Sequence, residues 1–214
     1  KRGAVSFPDR VRWLQDIRKT GDLGGLYADM ISATLRNVED TFARINGPQL
    51  EQAAEMIWAA QSVYTLGVGA NNSVAQNFNY LASTGMVNFH AIPRPGSVPA
   101  DDLAWATEND VLIAITSKPY RTEVVKTVDI AREQGVRIVG ISDSPASPII
   151  LGADFGFVVG TDTPQFFPSS VATIALLETL LSMVIAVADP RIIQRVEKFH
   201  QRRHDLGMYI GDAE

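Results

Sequence analysis

The chain contains no cysteine. That excludes disulfides, thiolate nucleophiles and cysteine-based metal sites. No apolar run approaches the roughly 20 residues that a membrane-spanning helix needs. The longest candidate, 171–188, is interrupted by Glu178 and several small polar residues, and reads as a core helix. No secretory leader is visible, so the expected compartment is the cytoplasm and no membrane partner is expected. Neither charge sign dominates: the net charge is −5, which gives no global argument for nucleic-acid binding. Histidine is scarce, with only His90, His200 and His204. The Walker phosphate pattern is absent, since no Gly-Lys-Ser/Thr occurs. The first residue is Lys1 rather than Met, so an upstream segment is expected.

What is present is an ordinary globular composition, 46% hydrophobic and 20% charged over 214 residues, enough for one full core with an appendage. Two stretches are locally basic: Lys1, Arg2, Arg10, Arg12, Arg18 and Lys19 at one end, and Arg191, Arg195, Lys198, Arg202 and Arg203 at the other. Both read as solvated helix faces. A short helix is expected over 7–19, then a Gly-rich break at 21–25. In 27–45, Ile31, Leu35, Val38, Phe42 and Ile45 recur at helical spacing as one apolar face. Asn46-Gly-Pro48 ends that helix and starts another over 49–60.

Beyond residue 60 the pattern changes. Short β-branched runs at 62–67, 87–92, 110–116, 136–141 and 155–159 alternate with helical stretches at 72–84, 121–134 and 170–187. A helical turn near 147–152 and a tail helix after Pro190 complete the series. Continuously apolar strands are expected where helices cover both faces of a parallel sheet. The fold class is therefore α/β, a doubly wound five-stranded parallel sheet of flavodoxin-like type preceded by a helical linker.

Two strand-to-helix turns carry the chemistry. Gly67-Val-Gly69 is followed by Asn71, Asn72 and Ser73 at a helix start. As a dinucleotide fingerprint it fails, because Asn72 stands at the third glycine position and no acidic residue ends the second strand. The second turn, Ser117-Lys-Pro-Tyr-Arg-Thr122, has a hydroxyl at each end and two cations between them. Thr122 is placed to cap the following helix, or with Ser117 and nearby amides to bind an oxyanion. Helix N-termini present unpaired N–H groups and partial positive charge, so a neighbouring pair suits a phosphate.

These turns, with Val139-Gly-Ile-Ser-Asp143, Ser147-Pro-Ile-Ile-Leu-Gly-Ala-Asp154 and Pro168-Ser-Ser170, resemble the sugar isomerase (SIS) domain over about 50–188. The similarity is greatest to RpiR-type bacterial transcription regulators, which join an N-terminal helix-turn-helix to a SIS sensor of sugar phosphates. Residues 27–45 resemble the linker helix between those parts, and Phe7 to Leu14 the last piece of the DNA-binding domain. The resemblance implies three regions: 1–48, the end of the DNA-binding region and linker; 49–190, the phosphosugar-binding domain; and 191–214, a C-terminal helix and tail. It departs at Pro119 and Tyr120, which stand where the family has serine and glycine. Pro119 lacks an N–H, and Tyr120 adds bulk where the backbone should approach phosphate.

The ligand-binding set expected on this basis is Gly69, Asn71, Asn72, Ser117, Arg121, Thr122, Ser169 and Ser170. The ligand is expected to be a sugar phosphate or related acidic metabolite, with DNA contacted through the upstream domain and a homodimer or tetramer as the assembly. A phosphosugar isomerase needs a Glu or His as general acid–base. His90 reads as a packed or edge residue, and Glu178 as either a catalytic carboxylate or an interface residue. His200 and His204, one turn apart, read as a solvated face; they could bind a metal only with a third ligand. No catalytic set, cofactor or metal is expected. The sensor is the favoured reading; an isomerase, or a SIS-derived module that no longer binds ligand, are the alternatives.

Overall fold

The computed structural model describes residues 6–210; Lys1 and Arg2 of the basic stretch, and 211–214 of the tail, lie outside the described residues. Three helices come first: α1 (Phe7–Thr20), α2 (Leu23–Arg44) and α3 (Gly47–Ala59). The Gly-rich break is shorter than its composition suggests. Gly21 ends α1 in the left-handed conformation, and Asp22 opens α2 by accepting the Gly25 N–H at 3.0 Å. Gly24 and Gly25 are therefore helical, because the carboxylate cap outweighs the poor helix propensity of two glycines.

The α/β part follows as β1 (Val63–Gly67), α4 (Ala70–Ser83), β2 (Phe89–Ile92), α5 (Pro99–Asp102), β3 (Val111–Ile115), α6 (Thr122–Glu133), β4 (Arg137–Ser142), β5 (Phe155–Val158), α7 (Val171–Val187) and α8 (Arg191–Asp205). The strands form one sheet in the order β2-β1-β3-β4-β5, and every pairing is parallel. This is the expected doubly wound fold. The central strand β3 is buried along its whole length, which is why it reads as five consecutive apolar residues. Its side chains alternate between two cores. Val111, Ile113 and Ile115 meet α3, α4 and α7 on one face, whereas Leu112 and Ala114 meet α6 on the other.

The expected apolar stripe of α2 is divided. Val38 and Ile45 pack against the core and Phe42 is half-buried, but Ile31 and Leu35 are exposed, continuing a line of exposed apolar residues from Leu23 and Tyr27 at four-residue spacing. The buried line of α2 is instead Ala33, Asn37 and Thr41, two of them polar. The reason is a set of hydrogen bonds to the segment after β5, described below.

Candidate functional site

In an open parallel sheet, a crevice forms beyond the strand C-termini where neighbouring connections diverge to opposite faces. Here that point lies between β1 and β3. A cleft of about 260 Å³ opens there, lined at its floor by Ile115, Ile141 and Val159 from the strand ends. Val68, Gly69, Ala70 and Asn71 form one wall, and Thr116, Ser117, Lys118, Pro119 and Arg121 a second. Thr161, Phe167, Pro168, Ser169, Ser170 and Thr173 supply the third.

Three helices, α4, α6 and α7, begin at this cleft. Each brings the positive end of its dipole to the cleft, although the Asn72 and Val124 amides donate to the Gly69 and Arg121 carbonyls at the starts of α4 and α6. Gly69 stands before α4 with φ 63° and ψ −126°, a conformation that disfavours any side chain. A Cβ there would lie 3.9 Å from the Arg121 guanidinium, so Arg121 reaches from the second turn towards the first. The same guanidinium pairs with Glu123, its Nε donating at 2.9 Å, and is restrained without being buried. Lys118 adds a second cation, 6.0 Å from the centre of the Tyr120 ring. Its backbone N–H donates to Asp143 at 3.3 Å, tying the second turn to the end of β4. In the third wall Ser169 is buried, and its hydroxyl accepts the Val171 N–H at 3.4 Å.

Of the eight expected residues, Gly69, Asn71, Ser117, Arg121, Ser169 and Ser170 line the cleft together. Asn72 and Thr122 do not. Asn72 donates its side-chain amide to the Gly67 carbonyl at 3.2 Å, bracing the start of α4 from within. Thr122 is the first residue of α6 and exposed; the cap position is Arg121, which makes no side-chain capping bond. The turn enters the helix one residue too early for the Thr122 hydroxyl to cap it.

Several residues were invisible to sequence reasoning. Phe7 of α1 lines the cleft, its ring stacked on Phe167 with centroids 4.6 Å apart and an 18° interplanar angle. Asn37 of α2 clamps the segment after β5: its amide donates to the Asp162 carbonyl at 2.6 Å and accepts the Asp162 N–H at 3.0 Å. One turn on, the Thr41 hydroxyl accepts the Gly160 N–H at 2.9 Å. Gly160 has to be glycine for this approach, since a Cβ would sit 2.7 Å from the Asn37 Cα. The available signal was two hydrogen-bonding residues, Asn37 and Thr41, one turn apart and in line with Ala33.

The remaining candidates lie elsewhere. His90 is exposed on edge strand β2, 5.5 Å from the Tyr64 ring. Glu178 is exposed on α7 and does not line the cleft. His200 and His204 lie on the exposed side of α8, and among the described residues no group of three His, Cys, Asp or Glu is placed to hold a metal ion. Among the described lining residues none is a carboxylate or an imidazole. The cleft's polar lining is hydroxyls, amides and the two cations Lys118 and Arg121.

A doubly wound parallel sheet with such a cleft at its switch point defines an α/β domain of the open-sheet, crevice-bearing class. The SIS domain family matches residues 56–183, more than half of the chain, and the chain belongs to that family. Its relatives include the HTH-type transcriptional regulator RpiR of Escherichia coli, 24% identical over 166 residues that cover 77% of this chain and 56% of that one. The chain thus spans little more than half the length of the curated regulators it matches. The sugar isomerase domain of an RpiR transcription factor from Sphaerobacter thermophilus has the same fold, with a TM-score of 0.74 and 23% identity over 83% of this chain and 97% of that one. So does the NanR protein of Vibrio vulnificus complexed with ManNAc-6P, with a TM-score of 0.73 and 18% identity over 94% of this chain and 74% of that one. Among the described residues, no single helix is long and apolar enough to cross a membrane.

Proposed function

We propose that this chain is the sugar-phosphate-sensing part of an RpiR-type transcriptional regulator acting in the cytoplasm. The observation that carries the reading is the convergence of three helix N-termini, Arg121 and the Ser117, Ser169 and Ser170 hydroxyls on one cleft. The phosphate sits between the Gly69–Asn71 turn and Ser117, where backbone amides and Arg121 oppose its charge. Ser169 and Ser170 contact sugar hydroxyls. Lys118 and Arg121 compensate for the N–H that Pro119 lacks. Residues 1–48 form the end of the DNA-binding region and its linker, 49–190 the sensor, and 191–214 the terminal helix and tail.

The uncovered stripe Leu23, Tyr27, Ile31 and Leu35 suits pairing with a second copy of the chain. Ligand binding then alters gene control for carbohydrate use by favouring one arrangement of the paired sensors. It does so only to the extent that the two arrangements differ in affinity.

The test is thermal denaturation against a panel of sugar phosphates. A ligand at a hundred times its Kd stabilises by about 2.7 kcal/mol. For a chain of this size that is an upward shift of about 5–11 °C. Stabilisation without turnover supports the sensor, turnover supports an isomerase, and no response across the panel refutes ligand sensing.

A further inference from the structure

The helix that precedes the sensor contributes to its cleft. α1 is lightly attached: none of its residues is buried, and its half-buried positions are Phe7, Arg10, Leu14 and Ile17, one face at helical spacing. The first two of these meet the segment between β5 and α7. Phe7 stacks on Phe167, and Phe166 packs edge-on against Phe167 at 5.2 Å. Arg10 donates to the Gln165 carbonyl at 3.4 Å. Phe7 and Phe167 line the same wall as Ser169, Ser170 and Thr173, apart from the turns at Gly69 and Ser117.

The cleft therefore has two chemistries. One side offers amides, the Ser117 hydroxyl and cations; the other offers aromatic carbon beside the Ser169, Ser170 and Thr173 hydroxyls. A sugar phosphate is divided in the same way, with a charged group at one end and a ring whose C–H faces carry slight positive charge. Such a face is attracted to the negative face of an aromatic ring.

On the sugar-phosphate reading of the cleft, we propose that Phe7, held by Phe167, is a specificity-determining residue that takes the apolar face of the sugar, so that ligand occupancy and docking of α1 are linked. The linkage is reciprocal: a sugar that favours docked α1 binds more tightly when α1 is already docked. α1 lies upstream of α2 in the chain, on the side where the DNA-binding region is proposed. The device requires no movement in the sheet.

The experiment uses the 214-residue chain with N-acetylmannosamine 6-phosphate, glucose 6-phosphate and inorganic phosphate as probes. Affinity is read by calorimetry, and amide hydrogen exchange over 7–19 reads the state of α1. Phe7→Ala is expected to weaken the tighter-binding sugar phosphate about three- to tenfold, the worth of one aromatic contact, and to leave inorganic phosphate unchanged. Phe7→Trp is expected to restore the affinity. Sugar phosphate is expected to slow exchange over 7–19 in the wild-type chain and not in Phe7→Ala. Phe167→Ala is expected to raise exchange over 7–19 without any ligand. If Phe7→Ala binds the sugar phosphate as tightly as wild type, this inference is overturned and the phosphate site stands. Unchanged α1 exchange at saturation overturns the linkage. If the wild-type chain binds neither of these nor any other sugar phosphate of the panel, the sensor reading falls and takes the inference with it.

Discussion

Replacing Asn37 by alanine removes the clamp between α2 and the third wall of the cleft. The amide makes two hydrogen bonds with Asp162, at 2.6 Å and 3.0 Å, across 125 residues of sequence. Each such bond contributes about 1 kcal/mol net, and a partner left without its bond costs about 1–3 kcal/mol when water cannot replace it. Asn37 is buried but Asp162 is exposed, so water recovers part of that loss. The expected cost of Asn37→Ala is therefore about 2–3 kcal/mol. For a domain of 150–250 residues each kcal/mol lowers Tm by about 2–4 °C, which gives a fall of about 4–12 °C. Asn37→Asp keeps the acceptor for the Asp162 N–H and loses the donor, so about half of that fall is expected. Circular dichroism melts of the three proteins at one concentration make the comparison. A melt of Asn37→Ala within about 1 °C of wild type refutes the reasoning, because an effect below 0.5 kcal/mol is that of an ordinary surface substitution.

Thr122→Ala is expected to leave the thermal response to sugar phosphates intact, whereas Ser117→Ala reduces it; the reverse order in the same assay refutes the placement of the cleft. Gly160→Ala is expected to destabilise by about 1–3 kcal/mol, since the new methyl group meets the backbone of Asn37 and α2 has to shift, and chemical denaturation reads the loss. Asp102 gives a pH dependence. Burial acts to raise its carboxyl, but hydrogen bonds from the Arg94 N–H and guanidinium and the Ser97 hydroxyl hold it below its ordinary 3.8. A carboxylate lowered in the folded state binds its proton more readily when unfolded. Its stabilisation is therefore complete above the unfolded value and lost as pH falls through the folded one. The stability gap between wild type and Asp102→Asn, read from urea midpoints, should be constant near neutrality and narrow below about pH 4. A gap that does not change with pH contradicts this account of Asp102.

The alternation of strands and helices from 62 to 187 was legible because buried parallel strands are written as local apolar runs, and β3 is such a run. The differences are where local composition misleads. Val87 extends the apparent second strand, yet it is 85% exposed and β2 begins at Phe89. The four-residue α5 is hidden in a Pro-rich loop because a single turn has no periodicity to detect. The two strand-to-helix turns of the cleft were visible for the same local reason. Asn37 and Phe7 were not, since each acquires its role from a partner far along the chain, Asp162 in one case and Phe167 in the other. Hydrophobic periodicity assigns a helix its face, but which polar residue that face presents to a distant loop is decided by packing. Thr122 shows the converse error: a good capping residue one position removed from the cap.

All the sheet connections that build the cleft leave from the C-terminal ends of the strands, and none of the strands' central side chains takes part in it. Pro119 and Tyr120 lie in such a connection, outside both cores. A substitution in the middle of the Ser117–Thr122 turn therefore reshapes one wall without entering the packing that bears the fold. The shape of that wall can be altered while both cores are kept, because the residues that set the one are not those that fill the other.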